Sequence, residues 1–317
     1  LPSLLTSLVN QTYPRDLYEI IIANDSSQDT SADIIREFQQ KWPQIILVDV
    51  VNRHQVRSPK KNALAQAIAI SSGDVILTTD ADCLVSQYWV EAMSALFYEE
   101  TAMVAGFSRT RLADWQQAPL VQKFEHFDFL SIFLAAAGAV ASRKYFSCSG
   151  QNLAYTRQAF QLVGGFSRIG HLVSGDDVNL MQLFRRAGLR IVYNFSRHSF
   201  VTTRPTGSWQ QLLNQRIRWA SNLKHQIYLN PEFFLYLVAC FLFILLPFYL
   251  LFCCWWLGLL LIGIRVLADL KFLARGREIF LIEKNKLKFY PYWFLLQPGY
   301  IFLVTLLGLA GAFRWKK

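Results

Sequence analysis

The sequence predicts an α/β protein: a doubly wound, mostly parallel sheet followed by C-terminal transmembrane helices. Three observations carry this expectation. Short β-branched runs alternate with stretches of helical spacing through the first half of the chain, acidic residues recur just after those runs, and the 32 residues from Phe233 to Ile264 carry no charged side chain. Alternation of this kind argues for a sheet with helices packed on its faces. An uncharged run of that length argues for membrane-spanning helices.

Each element follows from its local pattern. Leu4 to Val9 is a helix with no strand before it; the chain opens at Leu1-Pro2-Ser3, so a first strand is expected to be missing from this copy. Glu19 to Asn24 carries Ile20-Ile21-Ile22 and reads as a strand. Ser31 to Lys41 has apolar residues at Ile34, Ile35 and Phe38 and stops before Pro43, the mark of a helix. Ile45 to Val51 is a second strand. Pro59 to Ile70 is Ala-rich, with Pro59 suited to a first helical turn. Val75 to Thr79 is a third strand, Gln87 to Tyr98 a helix and Ala102 to Phe107 a fourth strand.

Beyond about Asn230 the apolar density rises, which divides the chain into a 1–230 domain and a 231–317 membrane region. A single helix over Phe233 to Ile264 would reach about 48 Å at 1.5 Å per residue, too long for a ~30 Å hydrocarbon core. Two spans meeting near Pro247 to Phe252 fit better, and Tyr292 to Phe313 supplies a third. The intervening Lys271, Arg275, Arg277, Lys284, Lys286 and Lys288 mark the cytoplasmic side. Arg314, Lys316 and Lys317 then fall on the far side. Arg265 and Asp269, spaced i, i+4 at the end of the second span, read as an interfacial snorkelling pair.

The chain is 53% hydrophobic and 17% charged, below the roughly 25% charged usual for soluble domains. Its net charge of +10 suits anionic lipid or an anionic small substrate. Without a helix-turn-helix, zinc-finger or RNA-recognition signature, nucleic acid is not an expected partner. The five cysteines form no CxxC pair and no metal-ligand spacing, as in a reducing compartment.

Ligands of open α/β sheets bind beyond the carboxyl ends of the strands, and four segments there carry chemistry. Asp80 and Asp82 follow the third strand, where two carboxylates one residue apart can converge on a hard divalent cation. Asp25, in Asn24-Asp25-Ser26-Ser27-Gln28-Asp29, is a candidate for nucleobase or ribose contact, whereas Asp29 reads as a helix cap. Lys60 and Lys61 open a helix, against the helix dipole, and an anionic ligand nearby would rationalise them. Asp176 and Asp177 precede a helical run from Met181 to Ala187; they read as caps, or as a general base beside a second carboxylate. Gln215-Arg216-Ile217-Arg218-Trp219 lies on an amphipathic helix ahead of the apolar region. Arg218 offers a fork for phosphate and Trp219 a flat face for a sugar ring, or both belong to an interfacial belt.

Taken in order, Asn24 to Asp29, Asp80-Ala81-Asp82, Gly175-Asp176-Asp177 and Gln215 to Trp219 resemble glycosyltransferase family 2 over roughly residues 1–230. The likeness is to the branch with cellulose, chitin and hyaluronan synthases and ceramide glucosyltransferases. It implies a GT-A fold and inverting transfer from a nucleoside-diphosphate sugar. It further implies that Asp25 contacts the nucleoside, and Lys60 or Lys61 the base or diphosphate side. Asp80 would contact the nucleotide sugar and Asp82 would ligate Mg²⁺ or Mn²⁺. Asp177 would be the catalytic base, with Asp176 standing where the family has Glu, on the substrate side. Gln215, Arg218 and Trp219 match the QxxRW motif near the diphosphate and acceptor. Gly150-Gln151-Asn152 and Val163 to Phe166 resemble stretches flanking the acceptor site.

The expected activity is transfer of a sugar to a hydroxyl of a lipid or lipid-linked acceptor. The expected location is the cell (inner) membrane, in contact with its lipids, with the catalytic domain cytoplasmic. A processive polysaccharide synthase acting on a saccharide acceptor is the alternative within the class. A non-catalytic membrane scaffold is the alternative outside it.

Overall fold

A computed structural model describes residues 1–51 and 58–313. The chain divides into two compact units, Leu1–Arg109 with Ala136–Arg204, and Thr110–Ala135 with Pro205–Lys317. The expected boundary at 230 does not coincide with this division, because 205–230 and 110–135 group with the apolar helices. Arg314, Lys316 and Lys317, expected on the far side of a membrane, lie outside the described residues.

The first unit is the α/β part. Ile20–Asn24 and Ile45–Asp49 pair in parallel, Ile20 opposite Ile45. A second sheet has the spatial order Val75–Thr78, Leu153–Thr156, Thr101–Gly106, Arg190–Asn194. Thr101–Gly106 is buried at every residue, as a strand covered on both faces must be. It runs parallel to Arg190–Asn194 but antiparallel to Leu153–Thr156, which also opposes Val75–Thr78. The sheet is therefore mixed. The reason is that the excursion from 107 to 152 leaves and re-enters at the same end of the sheet, where Gly106 N donates to Asn152 O at 2.9 Å. A Cβ at Gly106 would stand 2.4 Å from Asn152 Nδ2, so that approach requires glycine. Asn152 then donates to Phe107 O and Ser199 O and accepts from Trp89 Nε1.

The helices Ser31–Lys41 and Pro59–Ile70 have the bounds that their spacing predicts. The expected Gln87 to Tyr98 helix is shorter, Trp89–Ser94. Gln11 fixes its start by accepting from Val90 N and donating to Ser86 O. Ile20, Ile35, Ile45, Trp89 and Val104 share one buried cluster with Leu4, Leu5 and Leu8, so the amphipathic faces do cover the strands.

The second unit is helical. Among the described residues, three helical segments are long and apolar enough to cross a membrane: Leu120–Ala141, Pro231–Cys253 and Lys284–Leu309. They differ in what surrounds them. In the most apolar stretch of the first, 67% is buried inside the protein, against 6% in the second. Leu120–Ala141, which begins in this unit, is thus largely a core helix that the sequence reading passed over. After 230 the chain breaks at Cys254, later than expected, between Pro231–Cys253 and Trp255–Ile279. The latter runs on through Arg265, Asp269, Lys271, Arg275, Arg277 and Glu278, so only two of the three candidate spans lie in 231–317.

Arg265 corrects a second expectation. Its side chain is fully buried rather than snorkelling at an interface. It donates to Ile244 O at 3.0 Å and to Gln297 Oε1, and pairs with Asp269 at 3.5 Å. One guanidinium thereby ties three helices together. Elsewhere in the unit Gly308 lets Tyr290–Leu309 meet Trp209–Ala220, since a Cβ there would fall 2.5 Å from Ala220 Cβ.

Candidate functional site

The first unit gathers one ammonium and three carboxylates where its strands end. Lys60 stands in the first turn of Pro59–Ile70, a helix capped by Ser58 Oγ and opened by Pro59. Its Nζ lies 2.8 Å from Asp80 Oδ1, two residues past the strand Val75–Thr78, and 3.2 Å from Asp176 Oδ2. Asp177 follows directly and caps Val178–Arg186, its Oδ1 accepting from Val178 N at 2.7 Å. Its Oδ2 accepts from Gly150 N at 2.8 Å. The cap reading of Asp177 and its place in a charged site are therefore both true of one side chain. Each oxygen keeps a further lone pair for a proton or ligand.

Two glycines make this possible. Gly175 holds φ +74 just before Asp176, a conformation costly for a residue with a Cβ. A Cβ at Gly150 would stand 3.2 Å from Asp176 Oδ2 and 3.4 Å from Lys60 Nζ. Gly150 O in turn accepts from Thr78 Oγ1 at 3.1 Å, locking the loop to the strand before Asp80.

The charges set the proton affinities. Burial pushes the Asp176 carboxyl up, but the Lys60 ammonium overrides it and holds Asp176 below its ordinary value. Burial and the Asp176 charge hold the Asp177 carboxyl above its ordinary value. Burial works against the Lys60 ammonium, yet Asp176, Asp80 and Asp177 together keep it firmly protonated. Asp82 is more exposed than Asp80; desolvation, then the Asp80 charge, raises its carboxyl.

Lys61 is a correction. Expected beside the substrate, it is instead 0% exposed, with Nζ donating to Leu172 O at 2.6 Å and Ser174 O at 3.0 Å. Burial lowers its ammonium to about 8. Lys61 anchors the loop that leads into Gly175-Asp176-Asp177, and Lys60 alone of the two faces the carboxylates.

The other expected residues belong to other elements. Asp25 is exposed after Ile20–Asn24 and takes no hydrogen bond among the described residues. Asn24 spans to Asp49 at 2.8 Å; Asp29 accepts from Ser31 N at 3.0 Å but stands one residue ahead of the N-cap, Thr30, which makes no side-chain cap bond. Gln215, Arg218 and Trp219 belong to Trp209–Ala220 in the second unit. Trp219 does not offer two free ring faces, because the Arg216 guanidinium lies over the ring at 4.1 Å.

Sequence reasoning undervalued Gly150 and Gly175, and passed over Asp128, whose Oδ2 accepts from Arg216 Nε at 2.7 Å within the second unit. For the glycines a single sequence holds no signal. For Asp128 a signal existed, since Lys123, Glu125 and Asp128 place charges in a helix whose second half is almost wholly apolar.

The donor set can be tested for a divalent cation. Among the described residues no group of three metal-ligating side chains occurs. Asp80 and Asp82 supply hard oxygen donors, and Asp80, Asp82, Asp176 and Asp177 outnumber Lys60 and Lys61. That excess of negative charge fits a cation that takes one or two carboxylates and completes its shell with phosphate and water.

The sequence model of glycosyl transferase family 21 matches residues 1–315. The probable glycosyltransferase YdaM of Bacillus subtilis is 27% identical over 220 residues, 68% of this chain and 50% of that protein. A hyaluronan synthase of Streptococcus pyogenes is 35% identical over 102 residues, 32% of this chain and 24% of that protein. The chain thus spans half or less of the length of these two relatives. Among solved structures, the mannosyltransferase PcManGT of Pyrobaculum calidifontis, in complex with GDP-Man and Mn2+, superposes with a TM-score of 0.61 at 19% identity. That match covers 96% of this chain and 81% of the other, a likeness of fold consistent with the GT-A type. The match over residues 1–315 bears out the expected GT-A-type glycosyltransferase and gives its family: the chain belongs to glycosyl transferase family 21.

Proposed function

We propose that the protein transfers a sugar, with inversion, from a nucleoside-diphosphate sugar to a hydroxyl of a lipid or lipid-linked acceptor at a membrane. The observation that carries this reading is the meeting of Asp80, Asp176 and Asp177 around Lys60 where the strands end. Asp177 takes the proton of the acceptor hydroxyl as that oxygen bonds to the anomeric carbon. The bond from that carbon to the diphosphate oxygen breaks, and the nucleoside diphosphate leaves with the electron pair. A base with a raised carboxyl value is better matched to a hydroxyl proton than an ordinary carboxylate.

Lys60, held charged, stabilises negative charge on the substrate beside Asp80. Asp25 is assigned to the nucleoside, and Asp176 to the substrate side. Asp82, with Asp80 beside it, would hold Mg²⁺ or Mn²⁺, which when bound supplies neutralisation of the leaving diphosphate. PcManGT is described with both GDP-Man and Mn2+, which supports the donor class and the cation. Gln215, Arg218 and Trp219 are assigned to phosphate and acceptor binding on their motif alone. The apolar segments Pro231–Cys253 and Lys284–Leu309 support membrane attachment, and the cell membrane with a cytoplasmic site is the proposed setting.

A second reading, processive polysaccharide synthesis, draws on the likeness to hyaluronan synthase. One experiment covers both. Purified protein is offered a panel of sugar nucleotides with Mg²⁺, with Mn²⁺ and with chelator, and nucleoside diphosphate release and product size are read. Cation-dependent release with a single sugar added supports the proposal. A long polymer sinks the single-transfer form of it, and no release from any donor sinks the enzyme reading.

A further inference from the structure

The QxxRW segment contains a residue between its motif positions that engages two of them at once. Arg216 is 3% exposed. Its Nε donates to Asp128 Oδ2 at 2.7 Å, and one terminal nitrogen donates to Gln215 Oε1 at 2.5 Å. The flat guanidinium covers Trp219 at 4.1 Å and approaches Phe129 at 4.9 Å. Asp128, itself 4% exposed, also accepts from Tyr300 Oη at 3.1 Å. Tyr300 belongs to Tyr290–Leu309, the helix that Gly308 seats against Ala220. All of these residues lie in the second unit.

This arrangement has a chemical consequence. With Gln215 Oε1 occupied by a cationic donor, the free end of that amide is its NH₂ group, which can only donate. One face of the Trp219 ring is closed by the guanidinium. Leaving a buried guanidinium without a counter-charge would be costly, so Asp128 is needed to keep Arg216 in place. A lysine could satisfy one of these partners but could not serve Asp128 and Gln215 while lying flat on an indole.

We propose that Arg216 is a positioning residue, held by Asp128 and Tyr300, that presents the Gln215 amide as a donor to a substrate oxygen and fixes the plane of the Trp219 ring. The ligand this selects is an oxygen acceptor, a phosphate or a sugar hydroxyl, beside an apolar ring. The inference rests on the proposed function, since it takes Gln215 and Trp219 to be substrate groups.

The test is a double-mutant cycle on kcat/KM for nucleoside diphosphate release from the sugar nucleotide the wild type uses. Arg216→Lys is made alone and with Gln215→Ala, and thermal unfolding is followed in parallel. Misplacement of a binding group predicts a loss of roughly 10- to 100-fold for Arg216→Lys. The double variant should then be little worse than Gln215→Ala alone, because both changes remove the same interaction. If Arg216→Lys does not fold, Tyr300→Phe deletes a single hydrogen bond to Asp128 and replaces it in the same cycle. A smaller loss is expected, again absent in the Gln215→Ala background. Losses that multiply, or wild-type kinetics in the replacing variant, overturn the positioning role while leaving the enzyme reading intact. A wild type inert toward every sugar nucleotide overturns both.

Discussion

The two units hold their cations in opposite ways. In the first, Lys60 is 37% exposed at its side chain and shared among Asp80, Asp176 and Asp177, a cluster with more negative than positive charge. In the second, Arg265 is fully buried and sealed by one carboxylate, a backbone carbonyl and an amide. The first arrangement leaves charge unspent and reachable, which is what a ligand requires. The second spends its charge on holding helices together. Exposure and surplus separate chemistry from framework here better than the mere presence of a charged residue does.

Substitutions on each side of this contrast should have opposite signatures. Asp177→Asn should lower sugar transfer by about 10²- to 10⁴-fold, the range for loss of a general base. Asn keeps one of the two acceptor oxygens, so the cap on Val178 N can persist while the bond from Gly150 N is lost, and a fall in stability of about 1–3 kcal/mol is expected, smaller than that of the framework variant below. Arg265→Met should do the reverse. Removing one member of a buried ion pair costs about 3–5 kcal/mol, visible as early thermal unfolding in detergent, with the rate per folded molecule unchanged.

Lys60→Met should have a smaller effect on transfer, roughly 10- to 100-fold, the value of one or two charge-assisted hydrogen bonds. Asp176 would then lose the cation that holds its carboxyl down. The smallest effect is expected from Asp176→Asn and is best seen in a pH profile. Asp177 must be unprotonated to act, so activity falls as pH drops through its carboxyl value, which burial and the Asp176 charge raise. Removing that charge lowers the value, and the acid limb of kcat/KM should move to lower pH. An unmoved or upward-moved limb would exclude Asp177 as the titrating base.

The α/β class was legible because short strands such as Ile20–Asn24 and helices such as Ser31–Lys41 carry their own periodicity. The antiparallel strand Leu153–Thr156 was not, because its direction depends on where a distant excursion re-enters the sheet. Asp80, Asp176 and Asp177 were legible from type and spacing at strand ends and helix starts. Lys60 and Lys61, adjacent and identical in type, could not be told apart in sequence. One helical step turns the first toward carboxylates and the second into the loop carbonyls of Leu172 and Ser174. The Leu120–Ala141 helix is hard to read because Gln122, Lys123, Glu125, His126 and Asp128 fall on no single face and leave no apolar stripe to announce it.

The most direct test of the account is nucleoside diphosphate release per folded molecule in wild type, Asp177→Asn and Arg265→Met, measured together with the donor found by screening. The account predicts that the rate collapses in Asp177→Asn and persists in whatever fraction of Arg265→Met remains folded. Wild-type release by a folded Asp177→Asn protein would contradict it.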